Sequence, residues 1–242
     1  MTDTFWYLLY IGSMAAGALL FWMWSRDPKG VPKDEYWVAM VIPIWSGLMY
    51  FSMLTGQTVI EMPGRDPLYL GRYLDWLVST PLLLWALFST AHFHRPFQRP
   101  LLAGLIIADV IMILSGLFAD IATAEWARWT WFVIGTVCLL IIVAITWGRL
   151  KATAYEQSDE LGRAYVKVAL FLTVAWAGYP LIFALSPSGA GVISDRLALI
   201  LLVLLPIVSK VGFSIYDLYE LRKIGSRTPG HMPHRGPRHT SP

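Results

Sequence analysis

Seven apolar stretches, each about twenty residues or slightly more in length, are the feature that most limits how this chain folds. They lie at 4–24, 35–54, 68–88, 100–119, 126–147, 164–185 and 193–219. A helix needs about 20 mostly apolar residues to cross the hydrocarbon core of a bilayer. Only 14% of the 242 residues are charged and 56% are hydrophobic, which is too little charge to cover a soluble domain. The sequence therefore predicts an all-α membrane protein, a bundle of seven transmembrane helices.

Short connections rich in proline and glycine join the stretches, and no second domain or repeat is visible. We predict a seven-helix domain at 1–224 and a disordered cytoplasmic tail at 225–242, because GSRTPGHMPHRGPRHTSP has no apolar period. The amino terminus lacks a charged region and a cleavage site, so it is interpreted as the start of the first span rather than a signal peptide. Cys138 is the only cysteine, which excludes a disulfide framework and a cysteine cluster; no metal site is predicted.

The basic residues predict the orientation of the bundle. Four of them, Arg65, Arg72, Arg128 and Arg196, lie on or near one side. Cytoplasmic loops carry the excess of lysine and arginine, so the other, richer side is expected in the cytoplasm. This places the carboxyl terminus inside and the amino terminus outside the cell. The fourteen basic residues of the cytoplasmic side are Arg26, Lys29, Lys33, Arg95, Arg99, Arg149, Lys151, Arg163, Lys167, Arg222, Lys223, Arg227, Arg235 and Arg238.

Lys210 is the only lysine deep inside a predicted span, since Lys167 lies only three residues from the start of 164–185. A charge at the bilayer centre costs about 2.5–3.5 kcal/mol on insertion scales, so each such residue needs a partner or a function. Three carboxylates are also deep in the predicted spans, at Asp75, Asp109 and Asp217. Two interpretations of Lys210 follow: a structural ion pair with an aspartate across helices, or the covalent attachment of a cofactor.

The third stretch carries a counter-ion candidate for that lysine. Asp75, Ser79 and Leu82 are spaced i, i+4, i+7 and share one helix face, and Arg72 lies about one turn earlier on nearly the same stripe. This is a suitable arrangement for a carboxylate and a hydroxyl that face one buried cation. Flat walls for an elongated conjugated ligand are also present, although an aromatic stripe equally suits helix packing. Those wall residues are Trp76, Thr80, Trp176 and Tyr179.

Three motifs occur in order on the third, sixth and seventh spans: RYLDWLVSTPLLL at 72–84, WAGYP at 176–180 and SKVGFS at 209–214. On these motifs the chain resembles the microbial, or type 1, rhodopsins over nearly all of 5–222. The resemblance implies all-trans retinal bound to Lys210 as a protonated Schiff base, with Asp75 as primary counter-ion. It also implies a multi-pass protein of a prokaryotic plasma membrane that isomerises retinal in light and is not an enzyme. The partners expected are lipids and protons, no nucleic acid, and copies of the same chain, with a trimer as one form.

The resemblance also assigns the retinal pocket. Phe132 and Phe183 stand where the bacteriorhodopsin pattern has tryptophans, so the colour is not predicted. Asp109 matches a family position on the fourth helix and is expected as a protonated carboxyl bonded to the second helix, rather than in transport. Besides Lys210, the pocket residues are Trp76, Thr80, Met112, Gly116, Phe132, Gly135, Thr136, Trp176, Tyr179, Pro180, Phe183, Pro206 and Ser209.

Two positions depart from the pattern of outward proton pumps. Those pumps carry a carboxylate that reprotonates the Schiff base eleven residues after Asp75, where this chain has Ala86. They carry a second aspartate four residues before Lys210, where this chain has Pro206. Pro206 is interpreted either as a simple kink or as the loss of a charge that leaves one counter-ion. The retention of Asp75 argues against a chloride pump.

Asp217 follows Lys210 by seven residues on the same helix face, two turns or about 10.5 Å toward the expected cytoplasmic side. It is interpreted either as an interfacial carboxylate near Arg222 and Lys223 or as a proton acceptor on that side.

Ser188 and Ala198 occupy the positions where a bacteriorhodopsin-like release group has glutamates. Together these features are similar to the Anabaena sensory rhodopsin and xenorhodopsin branch, with which the chain shares PIWSG at 43–47, Pro206 and Asp217. By the same resemblance, a half-channel on the cytoplasmic side would be lined by Glu35, Trp45 and Ser46.

The leading hypothesis is a light-driven inward proton pump. A proton would leave Lys210 toward Asp217 and be regained from outside, past Arg72, Tyr73 and Asp75, with Ser79 beside the counter-ion. The alternative is a photochromic sensory rhodopsin that signals through a soluble cytoplasmic partner. A third hypothesis, without light, is a seven-helix transporter that uses a lysine–aspartate pair.

Overall fold

Seven long helices form the part of the chain that the computed structural model describes, which is residues 3–65, 67–187 and 189–226, with Asp3 as backbone only. Each is long and apolar enough to cross a membrane, so the predicted seven-helix membrane fold is confirmed. Most of the predicted tail, at 227–242, lies outside the described residues. The helices are α1 (Asp3–Ser25), α2 (Lys33–Leu54), α3 (Leu70–Ala91), α4 (Arg99–Ile121), α5 (Glu125–Tyr155), α6 (Asp159–Leu185) and α7 (Asp195–Gly225).

Capping residues explain where two of the helices begin. Ser158 accepts a 3.1 Å hydrogen bond from the backbone N–H of Leu161, and acidic residues fill the first turn of α6. The side chain of Ser194 accepts a bond of 3.3 Å from the N–H of Leu197 at the start of α7. A serine cap satisfies a backbone donor, and acidic side chains favour a helix amino terminus. For this reason α6 begins five residues before the apolar stretch at 164–185 that predicted it.

Two helices contain a wider, π-helical segment. In α5 it spans Thr146–Leu150, and in α7 it spans Ile207–Gly212. The second segment follows Pro206 directly and contains Lys210. Proline has no N–H to donate to the preceding turn, and such segments occur often at functional sites.

A short antiparallel hairpin precedes α3, which corrects the purely helical prediction. Strand β1 (Val59–Ile60) pairs with β2 (Leu68–Tyr69), with Val59 opposite Tyr69. The prediction had placed 68–69 in the third span because both residues are apolar. Valine, isoleucine and tyrosine also favour strands, and Gly64, at a φ of +70°, allows the chain to reverse between the strands.

Apolar side chains cover much of the outside of the bundle, whereas the ionisable residues Asp75, Asp109, Lys210 and Asp217 lie inside it. Trp37, Leu140 and Leu181 are among many large apolar residues that are exposed, whereas Asp75 and Lys210 are buried. This is the arrangement expected in lipid, where charges face the bundle interior. The central helix is α3, since 61% of the residues in its apolar 18-residue stretch are buried inside the bundle, compared with 17% for α5. The end of the bundle where α1 and α3 end is called the basic end below, and the opposite end is called the hairpin end.

Candidate functional site

A buried ion pair joins α7 to α3 at the middle of the bundle. The Lys210 ammonium donates to the Asp75 carboxylate, and their side chains are 1% and 0% exposed. Ser46 on α2 accepts from Lys210 Nζ at 2.9 Å and donates to Asp75 Oδ2 at 2.8 Å. A buried charge is stable only when it is paired and hydrogen-bonded. The three residues therefore form one polar centre contributed by three helices.

Three further predicted residues lie on α3, and none of them has a hydrogen bond to the ion pair within the described residues. The guanidinium of Arg72 lies 4.5 Å from the centre of the Tyr69 ring. The Tyr73 hydroxyl donates to Asp120 Oδ2 on α4 at 3.1 Å, so its hydrogen bonds lead to α4 rather than to the ion pair. Ser79 is fully buried, and within the described residues its Oγ has no hydrogen-bond partner.

A cavity of about 200 Å³ lies between α3, α4, α5 and α6. All of the residues that the resemblance assigned to the pocket on those four helices line it, whereas Pro206 and Ser209 do not. The lining includes Trp76, Thr80, Met112, Gly116, Phe132, Gly135, Thr136, Trp176, Tyr179, Pro180 and Phe183.

The walls of this cavity fit an elongated conjugated group attached to Lys210. Its lining is mostly apolar, with Phe132 and Phe183 stacked at 5.3 Å between ring centres. The Tyr179 hydroxyl lies 2.8 Å from the Oγ of Ser209, which is next to Lys210 in the chain, so the wall reaches the lysine. A Cβ at Gly135 would come within 3.3 Å of a backbone oxygen of α4, so glycine keeps α4 and α5 close at this wall.

Asp109 has a different partner from the one predicted. Its Oδ2 accepts a 2.7 Å hydrogen bond from Thr80, which is on α3 rather than on the second helix. Thr80 also lines the cavity and donates to the backbone oxygen of Trp76. The reason is geometric: α4 packs against α3 and α5, which puts Asp109 beside the cavity wall.

Asp217 lies toward the basic end and is 3% exposed. Its Oδ1 accepts a 2.6 Å hydrogen bond from Thr90 on α3, so this carboxylate bonds to a neighbouring helix. Arg222 instead donates to the backbone oxygens of Trp24 and Asp27 and to the Tyr36 hydroxyl, and Lys223 lies 3.3 Å from Glu220. This geometry argues against the interpretation of Asp217 as an interfacial carboxylate near Arg222 and Lys223.

The predicted half-channel set divides between two depths. Glu35 is buried at the basic end and accepts from Ser89, whereas Ser46 contacts the ion pair and Trp45 donates to the Leu74 backbone oxygen at 3.1 Å. Eleven residues of helix separate Glu35 from Ser46, a rise of roughly 16 Å, so the two side chains lie at different depths, one near the basic end and one at the ion pair.

An outer cavity of about 650 Å³ opens at the hairpin end. Arg72, Asp120, Ser186 and Leu202 line both this cavity and the inner one, so they form the wall between the two. Ala198, predicted to replace a release-group glutamate, is buried and lines the outer cavity; Ser188 lies outside the described residues.

Sequence reasoning missed four polar residues of this interior. Tyr10 contacts the ion pair, Thr90 binds Asp217, and Asp120 lies in the wall between the cavities. Ser214 is buried between Lys210 and Asp217, and within the described residues its Oγ has no partner. Ser214 and Thr90 carried a signal in their spacing, since Ser214 follows Lys210 by four residues and Thr90 follows Ala86 by four.

Known proteins resemble this chain over almost all of its length. Residues 1–224 match the family described as Bacteriorhodopsin-like protein. Bacteriorhodopsin of Halobacterium salinarum is 30% identical over 216 residues, which are 87% of this chain and 80% of that protein. Sensory rhodopsin-2 of Natronomonas pharaonis is 29% identical over 221 residues, which are 90% and 88% of the two chains. The crystal structure of thermophilic rhodopsin from Rubrobacter xylanophilus has a TM-score of 0.84 and 26% identity, and covers 93% of this chain and 98% of its own.

Proposed function

The chain belongs to the bacteriorhodopsin-like family of type 1 microbial rhodopsins, and on that premise we propose that it is a light-driven inward proton pump. As a member of this family it is a multi-pass protein of the plasma membrane, and a light-driven transporter or photoreceptor rather than an enzyme. Its cofactor is retinal, held as a Schiff base on the buried Lys210. When bound, retinal supplies light absorption and an isomerisation that changes the direction of the N–H on the Lys210 nitrogen.

The observation that carries the proposal is the position of the buried carboxyls relative to Lys210. On the basic-end side, Asp217 accepts from Thr90, and the α3 position that holds a donor in outward pumps is the buried Ala86. Alanine has no proton to give. A carboxylate on this side therefore acts as an acceptor for the Lys210 proton, with no α3 donor to return it from the same side.

Ser214 extends this route on α7. It lies one turn after Lys210 and one turn before Asp217, so the three are spaced i, i+4 and i+7 on one helix face. All three side chains are buried. A serine hydroxyl both donates and accepts, so Ser214 passes a proton from Lys210 Nζ toward the Asp217 carboxylate without holding charge itself.

Asp217 then releases its proton at the basic end, and a new proton reaches Lys210 from the hairpin end. The outer cavity reaches the wall of Arg72 and Asp120, and Tyr73 donates to Asp120 from the inner side of that wall. Asp75 stays ionised beside Lys210, and its negative charge stabilises the returning proton on Nζ. Ser46 donates a hydrogen bond to the Asp75 carboxylate. In this proposal the basic end faces the cytoplasm, as the excess of lysine and arginine predicts.

The remaining assignments belong to the same proposal. The retinal domain is 1–224, the tail at 225–242 is cytoplasmic, and the protein assembles with copies of itself in the membrane. The second candidate function is a sensory photoreceptor with a soluble partner at the basic end, favoured by the 29% identity to a sensory rhodopsin. A pump moves a proton across the membrane in each light cycle, whereas a receptor does not need to.

Light-induced infrared difference spectroscopy tests the proposed acceptor. We expect a positive carboxylic-acid band in the light state that disappears in Asp217→Asn, because Asp217 gains the proton that Lys210 loses. A band that disappears instead in Asp75→Asn, and persists in Asp217→Asn, would show that the proton moves toward the hairpin end.

A further inference from the structure

Pro206 leaves a backbone oxygen of α7 without its usual donor. In an α-helix the carbonyl of Leu202 accepts from the N–H of the residue four positions later, and here that residue is a proline. Tyr50 on α2 supplies a substitute, since its hydroxyl donates to the Leu202 oxygen at 2.8 Å. The Tyr50 side chain is fully buried. Tyr50 therefore satisfies the backbone acceptor that Pro206 leaves without a donor.

Tyr50 in turn fixes Tyr10 of α1 at the ion pair. The two rings are stacked, with 3.5 Å between their centres and 13° between their planes. The Tyr10 hydroxyl lies 2.6 Å from Ser46 Oγ and 3.5 Å from Lys210 Nζ, and Tyr10 is fully buried. A hydroxyl dipole thus lies beside the lysine nitrogen in a chain that has no aspartate at position 206.

A count of protons gives the direction of the Tyr10–Ser46 hydrogen bond. A serine hydroxyl has one proton to donate and two lone pairs to accept with. Ser46 donates its proton to Asp75 Oδ2 and accepts from Lys210 Nζ. The remaining lone pair can only accept, so Tyr10 is the donor to Ser46.

We propose that Tyr10 is a positioning residue for the counter-ion. By donating to Ser46 it commits the single Ser46 proton to Asp75, and the stacked ring of Tyr50 holds Tyr10 in the place from which it donates. Without Tyr10, Ser46 is free to turn its proton toward other acceptors such as a backbone oxygen of its own helix. The role concerns the dark state and is the same in a pump and in a receptor.

The test is a double-substitution cycle in the retinal-loaded protein, read by the absorption maximum and by the infrared stretch of the Asp75 carboxylate. Tyr10→Phe keeps the ring and its stack and removes only the hydroxyl. We expect it to move both signals, and we expect Ser46→Ala to move them as well. Because Tyr10 acts through Ser46, the double variant should show the shift of Ser46→Ala alone. Unmoved signals in Tyr10→Phe, or two shifts that simply add, would overturn the proposal.

Tyr7→Phe is the matched control, because Tyr7 is a buried tyrosine one turn earlier on α1 that packs edge-on against Tyr50 at 5.9 Å. Its absorption maximum should stay where it is in the unsubstituted protein. Tyr50→Phe is a second variant in case Tyr10→Phe yields no pigment. It keeps the stack but loses the bond to Leu202, and the proposal expects a smaller shift that disappears on the Ser46→Ala background. No shift in Tyr50→Phe would then count against the proposal.

Discussion

Thr90 on α3 donates a 2.6 Å hydrogen bond to Asp217 on α7, and Ala86 lies one turn before Thr90 on the same helix. The carboxyl on the basic-end side of Lys210 is therefore carried by α7, while the α3 position that would hold one is an alanine. The Thr90 hydroxyl of α3 donates to the Asp217 carboxylate of α7. Because the carboxyl lies on α7 and α3 has no proton donor at position 86, we expect protons to leave Lys210 toward the basic end.

Removal of the acceptor is the first prediction. Asp217→Asn should lower light-driven proton uptake into cells by about tenfold or more, a size typical for the loss of a proton-transfer group. The initial rate of the light-induced pH change, divided by the amount of pigment, measures it. Glu220→Gln is the matched control, since Glu220 is a buried acid on the same helix that pairs with Lys167 and Lys223, and its rate should stay within about twofold. Equal losses in both variants would contradict a specific role for Asp217.

A carboxyl restored to α3 should oppose the net transport. Ala86→Asp places an acid one turn before Thr90, where it can return a proton to Lys210 from the basic-end side. Inward transport per pigment should fall well below that of Ala86→Asn, which has nearly the same size but no titratable proton. Equal transport by the two variants would show that the missing donor at position 86 does not decide the direction.

Neutralisation of the counter-ion should change the colour. The Asp75 anion beside Lys210 stabilises positive charge at the nitrogen, and light absorption moves that charge away from the nitrogen. Asp75→Asn should therefore shift the absorption maximum to longer wavelength by tens of nanometres. Asp109→Asn is the control, because Asp109 bonds to Thr80 rather than to Lys210. A larger shift in Asp109→Asn than in Asp75→Asn would make Asp109 the counter-ion.

The lysine itself is the subject of the next prediction. Lys210→Ala should form no visible pigment with added retinal, because Lys210 is the only lysine among the described residues that is buried in the bundle. Absorption spectra of the purified variant, before and after denaturation in acid, measure it. A pigment that forms in Lys210→Ala and stays attached to the protein after denaturation would place the Schiff base elsewhere.

The sequence predicted the residues that share a helix face better than the contacts between helices. Helical spacing put Asp75 and Ser79 on one face, and the depth of Lys210 in an apolar span marked it as unusual. The sequence could not, however, give the rotation of each helix about its own axis. Asp109 was therefore assigned to the wrong neighbouring helix, and Tyr10, which reaches the ion pair from α1, was not foreseen.

The start of each helix was also only partly predictable. The hairpin of β1 and β2 was missed because Leu68 and Tyr69 suit a membrane helix and a strand equally well by composition. The error arises because sequence patterns give periodicity and composition but not where a helix begins.

The most direct test of inward transport is the sign of the light-induced pH change in a suspension of cells that contain the retinal-loaded protein. The account predicts that illumination makes the unbuffered medium more alkaline, that the change reverses in the dark, and that a protonophore abolishes it. Acidification of the medium would contradict the inward direction. No pH change, in cells whose pigment still completes its light cycle, would contradict transport altogether and favour the photoreceptor.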